Sequence, residues 1–251
     1  MTLYPQYAKR CASKLGRLTK RACDYVYGLY TLRIMSFVEE LLNMLFPERC
    51  IGCEKSGSAL CAICERTITT KPHALSSTVA VLFDYRNPLV KKAIWALKYH
   101  HRKSLGKYFG VALYREFFKQ LAHGSKKARE EIFVIPIPSG AKGMSTRGYN
   151  HASIIAKTIA ECARGDNLPI TFSDQLLYKK RENAQQVAVI GKSGRQENVR
   201  ELFGLRHGEM IRGKTVVIID DVITTGATAR EARRALKEFG PKRVLTIAVA
   251  H

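Results

Sequence analysis

The chain has 251 residues, 46% of them apolar, so it can bury the core of one α/β domain plus a small accessory module, and wholesale disorder is not expected. Its formal net charge is +21, and most of that excess falls on residues 77–251, which favours contact with a phosphorylated small molecule, nucleic acid or an anionic membrane over a role in solubility alone. No apolar stretch approaches the roughly 18 residues that span a bilayer, and the first thirty hold no signal-peptide core, so we expect a cytoplasmic protein without a transmembrane segment.

Residues 1–45 predict a basic, helical N-terminal extension. Its second half carries one apolar stripe at helical spacing, formed by Ile34, Val38, Leu41, Leu42 and Leu45. Such a segment can lie on a membrane surface or a partner. We favour the alternative, a loosely docked tail, and we expect Pro47 to end its helix.

Four cysteines follow, as two C-x-x-C pairs: Cys50 with Cys53, then Cys61 with Cys64. Each pair lets two thiolates from one tight turn reach the same metal ion, and two pairs complete a tetrahedron with no open position. The alternatives are two disulfides, disfavoured because nothing indicates secretion, and a redox motif, for which two adjacent copies are unusual. We therefore predict a zinc ribbon over residues 46–76, in which the metal stabilises the fold and takes no part in catalysis.

The remaining residues, 77–251, predict a single α/β domain. Strands are predicted at 78–85, 132–137, 175–179, 215–219 and 243–250, and helices at 89–99, 104–121, 152–162 and 228–239. Residues 69–77 are typical of a linker, and 183–203 are polar and irregular. Strands that are unbroken apolar runs and alternate with helices indicate a mainly parallel central sheet that is buried on both faces.

The most informative stretch is residues 216–228. Four apolar residues are followed by Asp220 and Asp221 at the carboxyl end of the predicted strand, where α/β sheets bind their ligands. A turn rich in Thr and Gly then leads into a helix, so that backbone N–H groups converge on an anion, and Gly226 leaves room for its close approach. Carboxylates beside an anion site suit a ligand that also carries a diol. A sugar phosphate, and above all ribose 5-phosphate, fits this pattern.

A P-loop nucleotide-binding protein is the alternative, since its Walker B strand also ends in acidic residues. That class needs a Walker A motif, and the nearest sequence is Gly191-Lys192-Ser193. The first glycine of such a motif would stand at position 186, which is Gln186. We therefore reject this alternative.

The stretch resembles the phosphoribosyl pyrophosphate binding motif of type I phosphoribosyltransferases. The resemblance implies that fold, with Asp220 and Asp221 holding the ribose 2′ and 3′ hydroxyls and serving as the central catalytic residues. It also implies magnesium, bound together with the ligand. The five residues that would hold the 5-phosphate are Thr224, Thr225, Gly226, Ala227 and Thr228.

Together with the cysteine pairs, residues 36–251 resemble the ComF family of bacterial competence proteins. The matching elements are Leu45-Phe46-Pro47, Ala96-Leu97-Lys98-Tyr99, Ile135-Pro136-Ile137-Pro138, Arg147-Gly148-Tyr149-Asn150 and Arg195-x2-Asn198-Val199-x3-Phe203. One departure is His151, which stands where family members commonly have Gln.

This resemblance implies a protein that binds phosphoribosyl pyrophosphate or a related nucleotide and acts in DNA uptake. Its partners would be single-stranded DNA, a competence helicase and other uptake proteins, at the inner face of the membrane. Lys142, Arg147 and Arg195 are the cations that we expect to bind pyrophosphate. Three hypotheses therefore stand: a phosphoribosyltransferase, a non-catalytic DNA-uptake factor that binds single-stranded DNA, and a structural adaptor that uses its basic surface and zinc ribbon.

Overall fold

A computed structural model describes residues 47–119, 130–140, 145, 148–180 and 202–251. The predicted extension at 1–45 lies outside these residues. The chain divides into a small unit, Met1–Cys50 with Glu54–Ser58, and a large unit, Ile51–Cys53 with Ala59–His251.

The described part of the small unit is a tight reversal of the chain. Arg49 and Ser56 form an antiparallel bridge. The N–H of Cys50 donates to the carbonyl of Lys55, and the N–H of Gly57 donates to the carbonyl of Glu48. These bonds fix the backbone on which the first cysteine stands.

The large unit alternates strands and helices along most of its length. Its helices are α1 (Ala62–Thr67), α2 (Pro88–Tyr99), α3 (Lys103–Leu113), α4 (His151–Gly165) and α5 (Ala227–Lys237), with a π-helical turn at Tyr114–Phe118 and a 3₁₀ turn at Gly208–Ile211. Its strands are β1 (His73–Ser76), β2 (Val79–Phe83), β3 (Ile132–Pro136), β4 (Ile170–Phe172), β5 (Leu177–Lys179), β6 (Phe203–Leu205), β7 (Thr215–Val222) and β8 (Arg243–Ala250).

Six strands form the central sheet, in the order β1-β2-β8-β7-β3-β4. Every neighbouring pair is parallel except β1 with β2, which is antiparallel at one edge. β5 and β6 form a separate two-stranded antiparallel ribbon. The predicted α/β class with a mainly parallel central sheet is therefore confirmed.

Alternate residues of β7 supply the two cores of the large unit, because successive side chains of a strand point to opposite faces. Val217 and Ile219 belong to a core with residues of α2, α3 and α4. Val216 and Ile218 belong to a second core with residues of α5, β5 and β6. The sheet is thus covered on both sides, which leaves its strand ends as the place for a polar site.

Two glycines let α3 and α4 approach closely. A Cβ on Gly106 would lie 2.8 Å from a methyl carbon of Ile154, and one on Gly110 would lie 2.6 Å from Cβ of Thr158. This contact fixes the position of α4 and hence of His151, its first residue.

Several predicted elements have different bounds in the structure. The strand expected to end at residue 219 continues to Val222, and the helix expected from 228 begins at Ala227. The helix predicted over 104–121 changes to the π-helical turn after Leu113. Strand β4 was not predicted, and strand β1 lies in the stretch expected to be a linker. Within the part of the chain that is described, no helix combines the length and apolarity needed to cross a bilayer.

Candidate functional site

Asp220 and Asp221 are adjacent residues near the end of β7, and they face opposite sides of the sheet. The register of β7 with β8 is regular through this point, pairing Asp220 with Ala248 and Val222 with Ala250. Alternation therefore places Asp220 on the α5 side and Asp221 on the side of α2 and α4. The two carboxylates consequently have different neighbours.

Asp221 is enclosed by two basic side chains. Nζ of Lys98 lies 2.8 Å from Oδ1, and Nε2 of His151 contacts Oδ2, while the Asp221 side chain is only 5% exposed. Burial acts to raise the pKa of Asp221, but the hydrogen bonds and charges from His151 and Lys98 outweigh it and hold the pKa below its ordinary value. Asp221 is thus an ionised, paired carboxylate inside the protein.

Helix ends bring these two partners to Asp221. Lys98 lies in the last turn of α2, and His151 opens α4. Asn150 caps α4 by accepting from the N–H of Ala152, and its Nδ2 donates to the carbonyl of Ile137 at 2.9 Å. The hydroxyl of Tyr149 donates to the carbonyl of Leu97. Tyr149 and Asn150 thereby connect the start of α4 to α2 and to the residue that follows β3.

Asp220 is half-buried, and within the part of the chain that the structure describes no ion pair to it is seen. Its Oδ1 accepts from the N–H of Asp221 at 2.9 Å. Burial, and next to it the negative charge of Asp221, raise the pKa of Asp220 to about 7. Hydrogen bonds donated by ligand hydroxyls to the Asp220 carboxylate would stabilise its ionised form and offset both effects.

The loop that follows β7 leads to the start of α5. Gly226 is the N-cap, with φ +70°, and it has no side chain to cap the helix. Thr224, Thr225 and Thr228 are exposed around it. Because the first N–H groups of a helix have no partner within the helix and carry partial positive charge, this turn can hold an anion.

Arg230 stands beside the same loop and was not predicted as a site residue. One of its guanidinium nitrogens donates to the carbonyl of Thr225 at 2.8 Å. A sequence signal did exist, because Arg230 is four residues after Gly226 and thus one helical turn along α5. The loop therefore has a side-chain cation as well as backbone donors.

The three cations predicted to bind pyrophosphate, Lys142, Arg147 and Arg195, lie outside the described residues. Lys179 is described, and its Nζ lies 3.6 Å from the point that a Cβ on Gly140 would occupy. This places a lysine of β5 next to the segment that follows β3.

The four cysteines come together as predicted. Their Sγ atoms all lie within 4.8 Å of one another, and those of Cys53 and Cys61 are 3.6 Å apart. Four thiolates at about 2.3 Å from a central zinc ion are about 3.8 Å from each other. The cluster is therefore compatible with a four-thiolate zinc ribbon.

A protein-family model, that of the phosphoribosyl transferase domain, matches residues 111–251 of the chain. The chain belongs to this family. The match contains β3, α4, β7 and α5, and so it contains both aspartates, His151 and the loop around Gly226. Lys98 and the four cysteines precede it. The predicted type I phosphoribosyltransferase fold is confirmed.

Relatives among characterised proteins agree with this family. The bifunctional protein PyrR of Thermus aquaticus is 36% identical over 107 residues, which cover 43% of this chain and 52% of that protein. PyrR of Alkaliphilus metalliredigens is 30% identical over 142 residues, covering 54% and 71%. The ribose-phosphate pyrophosphokinase of Vibrio vulnificus is 37% identical over 93 residues, covering 34% and 29%. The chain thus spans about half the length of the Thermus relative.

Solved structures of phosphoribosyl transferase proteins also show similarity. Glutamine phosphoribosylpyrophosphate amidotransferase from B. subtilis, complexed with ADP and GMP, has 20% identity and a TM-score of 0.33 over 58% of this chain and 26% of that one. Hypoxanthine-guanine phosphoribosyl transferase from L. donovani has 11% identity and a TM-score of 0.37 over 58% and 67%.

Proposed function

We propose that the chain binds a 5-phosphorylated ribose, as phosphoribosyl pyrophosphate or a related nucleotide or sugar phosphate, at the carboxyl end of β7. One observation carries the proposal. The half-buried carboxylate of Asp220 and the Gly226-capped start of α5 are consecutive features at the end of one central strand. A carboxylate suits the ribose hydroxyls, and backbone N–H groups of residues 224–228 suit the phosphate.

We assign different roles in ligand binding to the two aspartates. Lys98 and His151 already contact the two oxygens of Asp221, whereas Asp220 has the more accessible carboxylate. We therefore assign the first ribose contact to Asp220 and a supporting contact to Asp221. The relative named as a ribose-phosphate pyrophosphokinase is consistent with a ligand of this class.

Magnesium belongs to this proposal as a partner of the ligand. It prefers oxygen ligands and keeps several waters, so the pyrophosphate and ribose oxygens would hold it, and it would neutralise their charge. Lys142, Arg147 and Arg195 are proposed to contact the pyrophosphate. Such a site supports transfer of phosphoribosyl to an acceptor, in which the bond from C1 to pyrophosphate breaks and a bond from C1 to a nucleophile forms.

On the resemblance to the ComF family, we propose that this ligand site serves DNA uptake during natural transformation. The protein would then work with a helicase and other uptake proteins at the inner face of the membrane. The alternative is a non-catalytic protein that binds single-stranded DNA or acts as an adaptor. The cluster of Cys50, Cys53, Cys61 and Cys64 would hold a structural zinc ion in either case.

Calorimetric titration with phosphoribosyl pyrophosphate and magnesium tests the ligand proposal. Asp220→Asn should weaken binding at least tenfold, since a lost hydrogen bond to a charged group costs about 1.5–3 kcal/mol. The double variant Asp220→Ala with Asp221→Ala should bind no better. Lys157→Gln, a neutralised exposed lysine of α4, is the control and should bind like the wild type. Wild-type affinity in Asp220→Asn would refute the assignment.

A further inference from the structure

Helix α2 displays an exposed strip that the sugar-phosphate site does not use. We call Lys91, Lys92, Trp95 and Tyr99 the α2 strip. Lys91 and Lys92 precede Trp95 by four and three residues, Tyr99 follows it by four, and all four are exposed, so they share the outer face of the helix. The aliphatic residues Val90, Ile94 and Leu97 of the same helix are buried in the core.

The two aromatic rings of the α2 strip are open to solvent. The exposed fraction is 53% for Trp95 and 56% for Tyr99. Their ring centroids are 5.6 Å apart, and the ring of His100 meets Trp95 edge-on at 4.6 Å. Trp95 is thus held by neighbouring rings while about half of its surface remains available for stacking.

The segment that carries the α2 strip is strongly basic. Residues 85–115 contain eight Lys and Arg and no Asp or Glu. Lys98 turns inward to Asp221, but Lys91, Lys92 and Lys103 are exposed, and Nζ of Lys103 lies 5.3 Å from the ring centroid of Tyr149. A charge imbalance of this size on one short segment attracts a polyanion.

We propose that the α2 strip is a binding surface for single-stranded nucleic acid. Unpaired bases would stack on Trp95 and Tyr99, and the backbone phosphates would lie against Lys91 and Lys92. A duplex hides the faces of its bases, so it offers the rings nothing to stack on. An anionic membrane would also attract the lysines, but an interfacial helix inserts a continuous apolar face, and in α2 the residues Val90, Ile94 and Leu97 of that face are buried in the core. This inference does not rest on the sugar-phosphate proposal.

The chain contains a single tryptophan, so tryptophan fluorescence, excited selectively over tyrosine, reports on Trp95 alone. An oligothymidine of about 20 nucleotides, longer than the sites that such surfaces cover, should quench that fluorescence in a saturable titration. The same length of single-stranded RNA should quench it too, and a blunt duplex should bind with much lower affinity. Comparing the DNA and RNA arms identifies which of the two is preferred.

Substitutions in the α2 strip distinguish the contribution of base stacking to nucleic-acid affinity from that of the lysine charges. Trp95→Leu and Tyr99→Leu, followed by anisotropy of a labelled oligothymidine, should each weaken binding about tenfold, whereas Met210→Leu, equally exposed on the 3₁₀ turn, should not. Lys91→Gln with Lys92→Gln should make the slope of log affinity against log salt shallower by about 1.4, which is about 0.7 per phosphate contact. The matched double Lys157→Gln with Lys237→Gln neutralises exposed lysines of α4 and α5 and should change the slope less.

Three outcomes would overturn the proposal. Unchanged affinity of Trp95→Leu and Tyr99→Leu would show that nucleic acid binds elsewhere. An equal effect of the two lysine doubles would show general charge attraction only. Binding of Trp95 to phosphatidylglycerol vesicles, with no quenching by either single strand, would identify a membrane surface. As a control on folding, each variant is also titrated with phosphoribosyl pyrophosphate. An unchanged affinity for that ligand would show that the fold and the ligand site are intact.

Discussion

At the scale of single residues, the adjacent aspartates of β7 differ in their electrostatic role. Asp221 is buried with Lys98 and His151, which keep it ionised. Burial and the negative charge of Asp221 raise the pKa of Asp220 to about 7. The ionised form of Asp220 is disfavoured in the free protein, and a ligand that donates hydrogen bonds to the carboxylate would stabilise it. Ligand binding at Asp220 should therefore favour its ionisation.

The raised pKa of Asp220 makes stability depend on pH. Between its ordinary pKa of 3.8 and about 7, the folded state binds this proton more tightly than the unfolded state does, so Asp220 contributes stability at low pH that is lost as pH rises through 7. Asp220→Asn should therefore match the wild type in melting temperature at pH 4 and exceed it by several degrees at pH 8.5. A constant difference across that range would contradict the raised pKa.

Lys98 is predicted to stabilise the fold through Asp221. Lys98→Met should cost about 3 kcal/mol in free energy of unfolding, near the low end for a broken buried ion pair because His151 still contacts the carboxylate. Lys92→Met, on the exposed side of the same helix, should change stability by less than about 0.5 kcal/mol. In an Asp221→Asn background the cost of Lys98→Met should largely disappear, and denaturant unfolding of the four variants measures this coupling.

The sequence predicted which residues belong to the candidate site, but it did not predict which side chains contact each other there. Asp220, Asp221 and Gly226 follow directly from an apolar strand that ends in carboxylates and a glycine turn. Lys98 lies in an element that resembles the ComF family, and His151 directly follows another such element, but nothing local shows that both contact Asp221. That contact depends on the packing of α2 and α4 around the sheet, which involves residues far apart in the chain.

At the scale of elements, the longest strands were all predicted, whereas of the three-residue strands only β5 was predicted. β3, β7 and β8 are long apolar runs, and their positions were predicted to within a few residues. β4 and β6 have three residues each, too few for a periodicity to be recognised. The extension of β7 to Val222 has a physical cause, since Asp220 and Val222 continue the parallel pairing with β8 even though polar residues have begun.

Gly226 is the element boundary on which the proposed phosphate site depends. Its φ of +70° disfavours any other residue, and a Cβ there would lie 3.3 Å from a guanidinium nitrogen of Arg230. Gly226→Val should abolish binding of phosphoribosyl pyrophosphate in calorimetry. Gly213→Val, at a φ of +69° with nothing within 4 Å of its Cβ, should suffer the same backbone strain but keep binding. Equal loss of binding in both would show that strain alone is responsible.

At the scale of the whole molecule, residues that flank the cysteines share a hydrophobic core with residues after the predicted domain boundary. The predicted boundary at residue 76 treats the ribbon as a module of its own. In the structure Ile51, Ala59 and Ile68 are buried in the same core cluster as Leu82 and Leu97 of the large unit. Side chains that flank the cysteines are therefore part of the domain's hydrophobic core.

This shared core determines what loss of the metal should do. We predict one zinc ion per chain after purification in reducing buffer, measured by atomic emission, and none in Cys61→Ser. Structural zinc contributes on the order of 10 kcal/mol to local folding, and losing it frees residues that pack against the core, so Cys61→Ser should also lower the melting temperature of the domain by more than about 5 °C. Cys162→Ser changes a half-buried cysteine of α4 and should keep both zinc and most of the stability. Zinc loss with an unchanged melting temperature would mean that the ribbon is an independent module after all, and wild-type protein without stoichiometric zinc would refute the metal site itself.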